Sequence, residues 1–140
     1  MNFKKFLFAT NTGTTGQVGL TLLRVFAGLV MAFAHGLGKF PVSEQLIQGV
    51  ASVGFPMPVI FANAAAISEL VGGVLLALGL FTRPAGIFLA FTMFVAGIFV
   101  HAADPFNVKE LAFLYMFVFI FFACYGGGRF SLDNKLAAKN

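Results

Sequence analysis

The chain has 140 residues, of which 59% are hydrophobic and only 10% are charged. A soluble domain carries about 25% charged residues, and one of this length could not bury so much apolar surface, so composition excludes a soluble protein. The formal charge of +4 does not indicate nucleic-acid binding, because the basic residues lie mainly at loops and termini and form no Lys/Arg-rich tract. The single cysteine, Cys124, excludes a Cys-x-x-Cys redox cycle run by this chain alone.

Four apolar segments are long enough to cross a bilayer, which takes about 17–25 residues. The predicted spans are 18–38, 59–81, 84–102 and 108–125. They leave little other chain, so we predict an all-α membrane protein: a single domain over residues 1–140, built as a four-transmembrane-helix bundle in a lipid bilayer. The many Phe residues of the fourth span are expected to face lipid, among them Phe117, Phe119, Phe121 and Phe122.

The segment between spans 1 and 2 predicts a short helix of its own. Ser43 can cap its start, and Gly54 follows its end. Its apolar residues fall on one face: Leu46, Ile47, Val50 and Val53. This pattern is typical of a helix that lies in the membrane interface or covers the end of a bundle.

The distribution of basic residues predicts the direction of the spans. Two loops, 39–58 and 102–107, have only Lys39 and the adjoining Lys109 as basic residues. The termini and the loop between spans 2 and 3 hold six basic residues: Lys4, Lys5, Arg83, Arg129, Lys135 and Lys139. The positive-inside rule therefore places both termini in the cytoplasm and the other two loops outside.

Three ionisable side chains lie inside the predicted spans: Arg24, His35 and Glu69. A charge near the bilayer centre costs at least about 2.5–3.5 kcal/mol, so such residues usually face a bundle interior and serve a ligand or proton path. Glu69 shares its helix face with small residues, which indicates a packed face rather than a lipid face. His101 and Glu110 flank the short outer loop and can reach the same region.

Helical geometry predicts how these side chains meet. At about 100° per residue, Arg24, His35 and Lys39 share one stripe of the first span. At about 1.5 Å per residue, Glu69 and His35 lie at similar depths and can hydrogen-bond, whereas Arg24 lies nearer the cytoplasm. We therefore predict a polar column that opens outward and ends at Arg24. Its predicted ligand-binding residues are Arg24, His35, Lys39, Glu69, His101 and Glu110.

Each of these residues also has a purely structural interpretation. Arg24 can extend to the inner interface, Lys39 can be a solvated charge at the end of a span, and His35 can hydrogen-bond between helices. Glu69 can simply pair with a cation. No metal-binding motif is present, and no catalytic residue is assigned; Glu69 and His35 are the candidates for proton exchange.

Four stretches of the chain resemble the DoxX family of small bacterial membrane proteins. They are RVFAGLVMAFAHGLGKF (24–40), GFPMP (54–58), ELVGGVLLALGLFTRPAG (69–86) and GGGRFSLDNKL (126–136). The resemblance implies a four-helix bundle in the bacterial inner membrane. It also implies a redox setting, because some relatives are linked to quinone-coupled oxidation of sulfur compounds and others to oxidoreductase complexes that respond to oxidative stress.

Three functional hypotheses follow. The first is a component of a membrane oxidoreductase system that binds a quinone or similar small molecule, with His35 and Glu69 exchanging protons and Arg24 stabilising negative charge. The second is a small proton-coupled transporter or permeability factor. The third is a membrane scaffold for a soluble redox enzyme. Small-residue stripes also leave homo-oligomer contacts open.

Overall fold

The computed structural model describes residues 13–138, and it is a bundle of four long helices with two short ones. The long helices are α1 (Thr14–Lys39), α3 (Pro58–Leu78), α4 (Thr82–Val100) and α5 (Phe106–Tyr125). The short ones are α2 (Glu44–Ser52) and α6 (Leu132–Ala137). All four long helices are long and apolar enough to cross a membrane, which confirms the predicted fold class. Lys4, Lys5 and Lys139, which entered the charge count, lie outside the described residues.

The observed bounds differ from the predicted spans by a few residues at some ends. The first span begins earlier, at Thr14, because its polar first turn continues the helix into the interface. The second ends earlier, at Leu78, because Gly79 adopts a left-handed conformation with φ +67° that terminates the helix. Residues 132–137 form a helix that the sequence analysis did not predict.

Helices α1 and α3 approach each other through glycine. A Cβ on Gly28 would lie 2.5 Å from the Gly73 carbonyl oxygen, and one on Gly36 would lie 2.5 Å from the Leu70 nitrogen. Small residues at such contacts allow backbones to come together as side chains cannot. This close packing confirms that the Glu69 face of α3 is buried, and it brings the last turns of α1 against the middle of α3.

The core lies where α1, α3, α4 and α5 meet. Its largest apolar side chains are Met31, Leu76, Leu89, Met93, Phe119 and Phe122. The expectation that the fourth-span phenylalanines all face lipid is therefore wrong for Phe119 and Phe122, which are 0% and 1% exposed. Phe117 and Phe121 are exposed, as predicted. The α5 helix is apolar all round, so its sequence does not distinguish the core face from the lipid face.

The short helix between the first two spans is confirmed. The Ser43 hydroxyl caps it by accepting a hydrogen bond from the Leu46 N–H at 3.3 Å. Helix α2 packs against α3, and Val50 is its buried residue. It therefore covers one end of the bundle on the side of α3.

Candidate functional site

Three of the four spanning helices change from α- to π-helical hydrogen bonding. The π-helical segments are Val30–Gly36 in α1, Ser68–Gly72 in α3 and Ala96–Val100 in α4. The first two contact each other. His35 and Glu69 lie inside these two segments, and His101 directly follows the third. Such segments are rare in proteins and occur frequently at functional sites, because they turn side chains away from the α-helical register.

A buried ion pair joins α1 to α3. The Lys39 ammonium donates to both carboxylate oxygens of Glu69. The Glu69 side chain is 2% exposed, whereas that of Lys39 is 32% exposed. Lys39 is the last residue of α1, and its long side chain reaches back into the bundle. A buried carboxylate is strongly unfavourable unless it is paired and hydrogen-bonded, and Lys39 supplies both the opposite charge and the hydrogen bonds.

A cavity of about 180 Å³ lies beside this ion pair. Its inner wall is formed by Met31 and Met93, both buried, together with Tyr115 of α5. The rings of His35 and Tyr115 meet edge to face, with centroids 5.9 Å apart. The lining residues come from all four spanning helices and the loop after α4: Met31, His35, Lys39, Glu69, Met93, Ala96, His101, Val108, Leu111, Ala112 and Tyr115.

His101 lies at the mouth of this cavity. Its Nδ1 is 2.7 Å from a carboxylate oxygen of Asp104, and both side chains are partly exposed. A carboxylate beside one ring nitrogen orients the imidazole. His101 thus adds a partly exposed polar group to the cavity lining.

The structure brings together four of the six predicted ligand-binding residues. Lys39, His35, Glu69 and His101 line one cavity. Glu110 is exposed on α5 and lies outside its lining. The similar depths of His35 and Glu69 predicted a hydrogen bond between them. Within the described residues, the Glu69 carboxylate instead accepts hydrogen bonds from Lys39 and none from His35. The lysine side chain is long enough to cross the depth that separates its backbone from Glu69, which the estimate ignored.

Arg24 lies apart from this group, at the opposite end of the bundle core. Its guanidinium is 2% exposed and donates to the Leu76 carbonyl at 3.2 Å and to the Phe130 carbonyl at 3.0 Å. Leu76 is in the last turn of α3, where carbonyl groups carry partial negative charge, and its carbonyl also accepts from the Gly79 N–H at 3.0 Å. Arg24 therefore joins α3 to the segment after α5, and it does not form the inner end of the Glu69 cavity.

Asp133 completes this inner junction with the opposite charge. Its carboxylate accepts from the backbone N–H groups of Phe81, at 2.8 Å, and Thr82, at 2.9 Å, at the start of α4. Burial raises the pKa of Asp133, but hydrogen bonds from Thr82 and Phe81 and the charge of Arg24 outweigh it, so the pKa lies below its ordinary value. Phe81 has a left-handed backbone, φ +48°, which these bonds hold in place.

Sequence reasoning missed Tyr115 and Asp104. Tyr115 is one of only two tyrosines in the chain, and a phenol in the middle of an apolar span is a polar group that needs a partner or a cavity. Asp104 lies three residues after His101, a spacing that lets a turn bring the two side chains together. Both signals were present in the sequence.

A comparison with models of known protein families identifies the family of this chain. The family model described as DoxX matches residues 19–102, which include most of α1, the ion pair and the π-helical segments. The chain belongs to the DoxX family. No solved structure matches the chain.

Relatives of this DoxX-family protein cover most of its length. A Haemophilus influenzae protein without an assigned function is 38% identical over 130 residues, which is 86% of this chain and 92% of that protein. A Bacillus subtilis protein provisionally named an oxidoreductase, CatD, is 38% identical over 118 residues, or 84% and 86% of the two chains. An Escherichia coli protein named as the inner membrane protein YphA is 34% identical over 86 residues, 61% of each chain.

Proposed function

We propose that this DoxX-family protein is a component of a membrane oxidoreductase system and binds a quinone head group, or a small molecule of similar chemistry, in the cavity beside Glu69. The observation that carries the proposal is the buried Glu69–Lys39 ion pair on the wall of a cavity that also holds His35, His101 and Tyr115. The oxidoreductase name of the B. subtilis relative supports the redox setting. The name of the E. coli relative supports the inner membrane as its location.

The side chains around the cavity suit quinone chemistry. Reduction of a quinone to a quinol takes two electrons and two protons, and each carbonyl oxygen becomes a hydroxyl. The Lys39 ammonium can donate a hydrogen bond to one carbonyl oxygen and stabilise negative charge that develops there. Glu69 and His35 can exchange protons with the ligand, and His101 can exchange protons with the outer aqueous phase. The electrons would come from a partner redox enzyme.

The size of the cavity limits the ligand. At about 180 Å³ it is smaller than the roughly 300–1,000 Å³ typical of sites for drug-sized ligands. It therefore suits a single ring and not a whole lipid-soluble quinone. Val108 and Leu111 line the cavity and are also exposed on the outside of the bundle, so a hydrocarbon tail can leave between them into lipid.

The packed apolar core below the cavity favours ligand binding over transport. Met31 and Met93 close the inner side of the cavity, and Leu76 and Phe119 are fully buried in the same core. A solute entering at His101 would meet packed apolar side chains before it reached the end of the bundle near Arg24. With the termini in the cytoplasm, as the basic residues favour, the cavity opens to the outer side of the membrane.

Native mass spectrometry of the mildly extracted protein tests the proposal. We expect the wild type to carry a quinone-sized adduct and Glu69→Gln to lose it, while Glu44→Gln keeps it. Glu44 is the matched control because its side chain is exposed on α2, outside the cavity. A variant Glu69→Gln that retains the adduct would contradict the site.

The same experiment separates the alternatives. An apo mass with a co-purifying enzyme would favour the scaffold hypothesis. An apo mass alone, followed by proton-coupled uptake in proteoliposomes that depends on Glu69, would favour a transporter.

A further inference from the structure

A second cavity lies at the other end of the bundle, away from Glu69. It has a volume of about 770 Å³. It is bounded by the start of α1, the turn between α3 and α4, the turn after α5, and α6. The proposed quinone site does not use it. Its walls carry two arginines, Arg83 and Arg129.

These two arginines bring positive charge to the cavity. Both are exposed, and within residues 13–138 neither forms an ion pair with a carboxylate. The Arg129 guanidinium lies 5.9 Å from the centre of the Phe130 ring, which leaves its N–H groups available to an acceptor. Arg83 approaches the Gly126 backbone closely enough that a Cβ there would lie 3.5 Å from its Nε.

The carboxylate on the same wall does not cancel this charge. Asp133 lines the cavity, but its two oxygens accept from the N–H groups of Phe81 and Thr82. The buried Arg24 guanidinium also acts on Asp133 as an opposite charge. With Asp133 balanced by Arg24, Arg83 and Arg129 give the cavity a net positive charge.

The wall that carries Arg129 is held in a fixed shape. The Gln17 side-chain oxygen accepts from the Arg129 backbone N–H at 2.9 Å, and its nitrogen donates to the Tyr125 hydroxyl at 2.8 Å. Gln17 thus ties the turn after α5 to the first turns of α1. A site that is built before its ligand arrives does not have to order its side chains and loops on binding.

The cavity also lies at the ends of two membrane-spanning helices. Arg83 is the second residue of α4, and Tyr125 is the last residue of α5, so both mark the ends of membrane-spanning helices. Basic pockets between spanning helices at this level are suited to anionic headgroups. Guanidinium groups match phosphate oxygens in geometry as well as charge.

We propose that this cavity binds a phosphate group, carried either by an anionic lipid headgroup or by a soluble phosphate compound, between Arg83 and Arg129. Its volume accommodates a glycerophosphate headgroup as well as inorganic phosphate. The site is independent of the quinone cavity, so either proposal can fail without the other.

Lipid titration followed by native mass spectrometry tests the lipid source. Purified protein is titrated with phosphatidylglycerol and, separately, with phosphatidylcholine of the same chains. We expect the wild type to prefer phosphatidylglycerol, and each of Arg83→Gln and Arg129→Gln to weaken that binding about tenfold. Lys135→Gln is the matched control, because Lys135 is an exposed cation on α6 that does not line the cavity.

Inorganic phosphate tests the soluble source. Thermal unfolding of the wild type and of the double variant is measured as phosphate is added at constant ionic strength. Stabilisation of the wild type alone, without a preference for phosphatidylglycerol, would assign the site to a soluble phosphate compound.

Two results would overturn the proposal. One is a wild type that neither prefers phosphatidylglycerol nor is stabilised by phosphate. This result does not depend on whether any variant folds. The other is an equal loss of phosphatidylglycerol in Lys135→Gln and in the arginine variants, which would mean that surface charge alone attracts the lipid. Circular dichroism checks that the variants keep their helices.

Discussion

Replacing Lys39 with methionine tests whether the ion pair is what keeps Glu69 in the bundle. Removing one partner of a buried ion pair costs about 3–5 kcal/mol, because the other charge stays buried and unpaired. The Glu69 side chain is 2% exposed, so we expect the loss for Lys39→Met to fall in this range.

The reverse change should cost much less. The Lys39 side chain is 32% exposed, so in Glu69→Gln its ammonium can turn to water. The expected loss is about 1 kcal/mol, the upper value for surface pairs. The double variant has no uncompensated charge, and it should lose less than Lys39→Met alone. The double-mutant cycle should therefore give a coupling energy of more than about 1 kcal/mol, the loss expected for Glu69→Gln alone.

Reversible unfolding in mixed micelles, followed by circular dichroism, measures these free energies. The control is Lys109→Met, because Lys109 lies at the same end of the bundle and donates only to the Ala102 carbonyl, at 3.2 Å. It should lose no more than about 1.5 kcal/mol. Equal losses for Lys39→Met and Glu69→Gln, or a double variant whose loss equals their sum, would refute a buried, coupled pair.

Three further predictions concern stability. Arg24→Leu should cost about 3 kcal/mol or more in the same unfolding assay, because two charge-assisted hydrogen bonds are lost, and a stability like that of the wild type would contradict the burial of Arg24. Gly28→Ala should cost about 1–3 kcal/mol, since its Cβ would lie 2.5 Å from the Gly73 carbonyl oxygen, whereas Gly19→Ala has open space and should cost nothing. Asp133→Ala should cost about 0.5–2 kcal/mol at neutral pH. Because the folded pKa of Asp133 lies below its ordinary value of 3.8, that difference should persist above pH 3.8 and disappear as the pH falls through the lowered pKa; a constant difference across this range would contradict the assignment.

The sequence predicted the bundle because length and hydropathy alone identify spanning helices. Ser43 marked the start of the short helix α2, and the small residues beside Glu69 marked a packed face; both predictions are confirmed. Helix α6 was missed, because its six residues carry too few apolar positions to show a period.

The sequence predicted only part of the arrangement of the candidate site. The prediction assumed ideal α-helices, and it took the depth of each side chain to be the depth of its backbone. The π-helical segments at Val30–Gly36 and Ser68–Gly72 change the register around His35 and Glu69, and local sequence does not announce them. The predicted depth of Lys39 was that of its backbone, whereas its ammonium reaches into the bundle to Glu69. Arg24 shares the stripe of Lys39 on a helical wheel, yet its partners come from Leu76 and from Phe130, far along the chain.

Photoaffinity labelling tests directly whether a quinone binds beside the Glu69–Lys39 pair. The wild-type protein is illuminated with an azido-quinone that carries a short tail, and the modified peptides are sequenced. We expect labels on the residues that line the cavity: His35–Lys39, 96–101 or 111–115. Excess unlabelled quinone should displace these labels, and Glu69→Gln should lose them. Labels confined to the lipid-facing surface, and unchanged by competitor or by Glu69→Gln, would contradict a quinone site beside the Glu69–Lys39 pair.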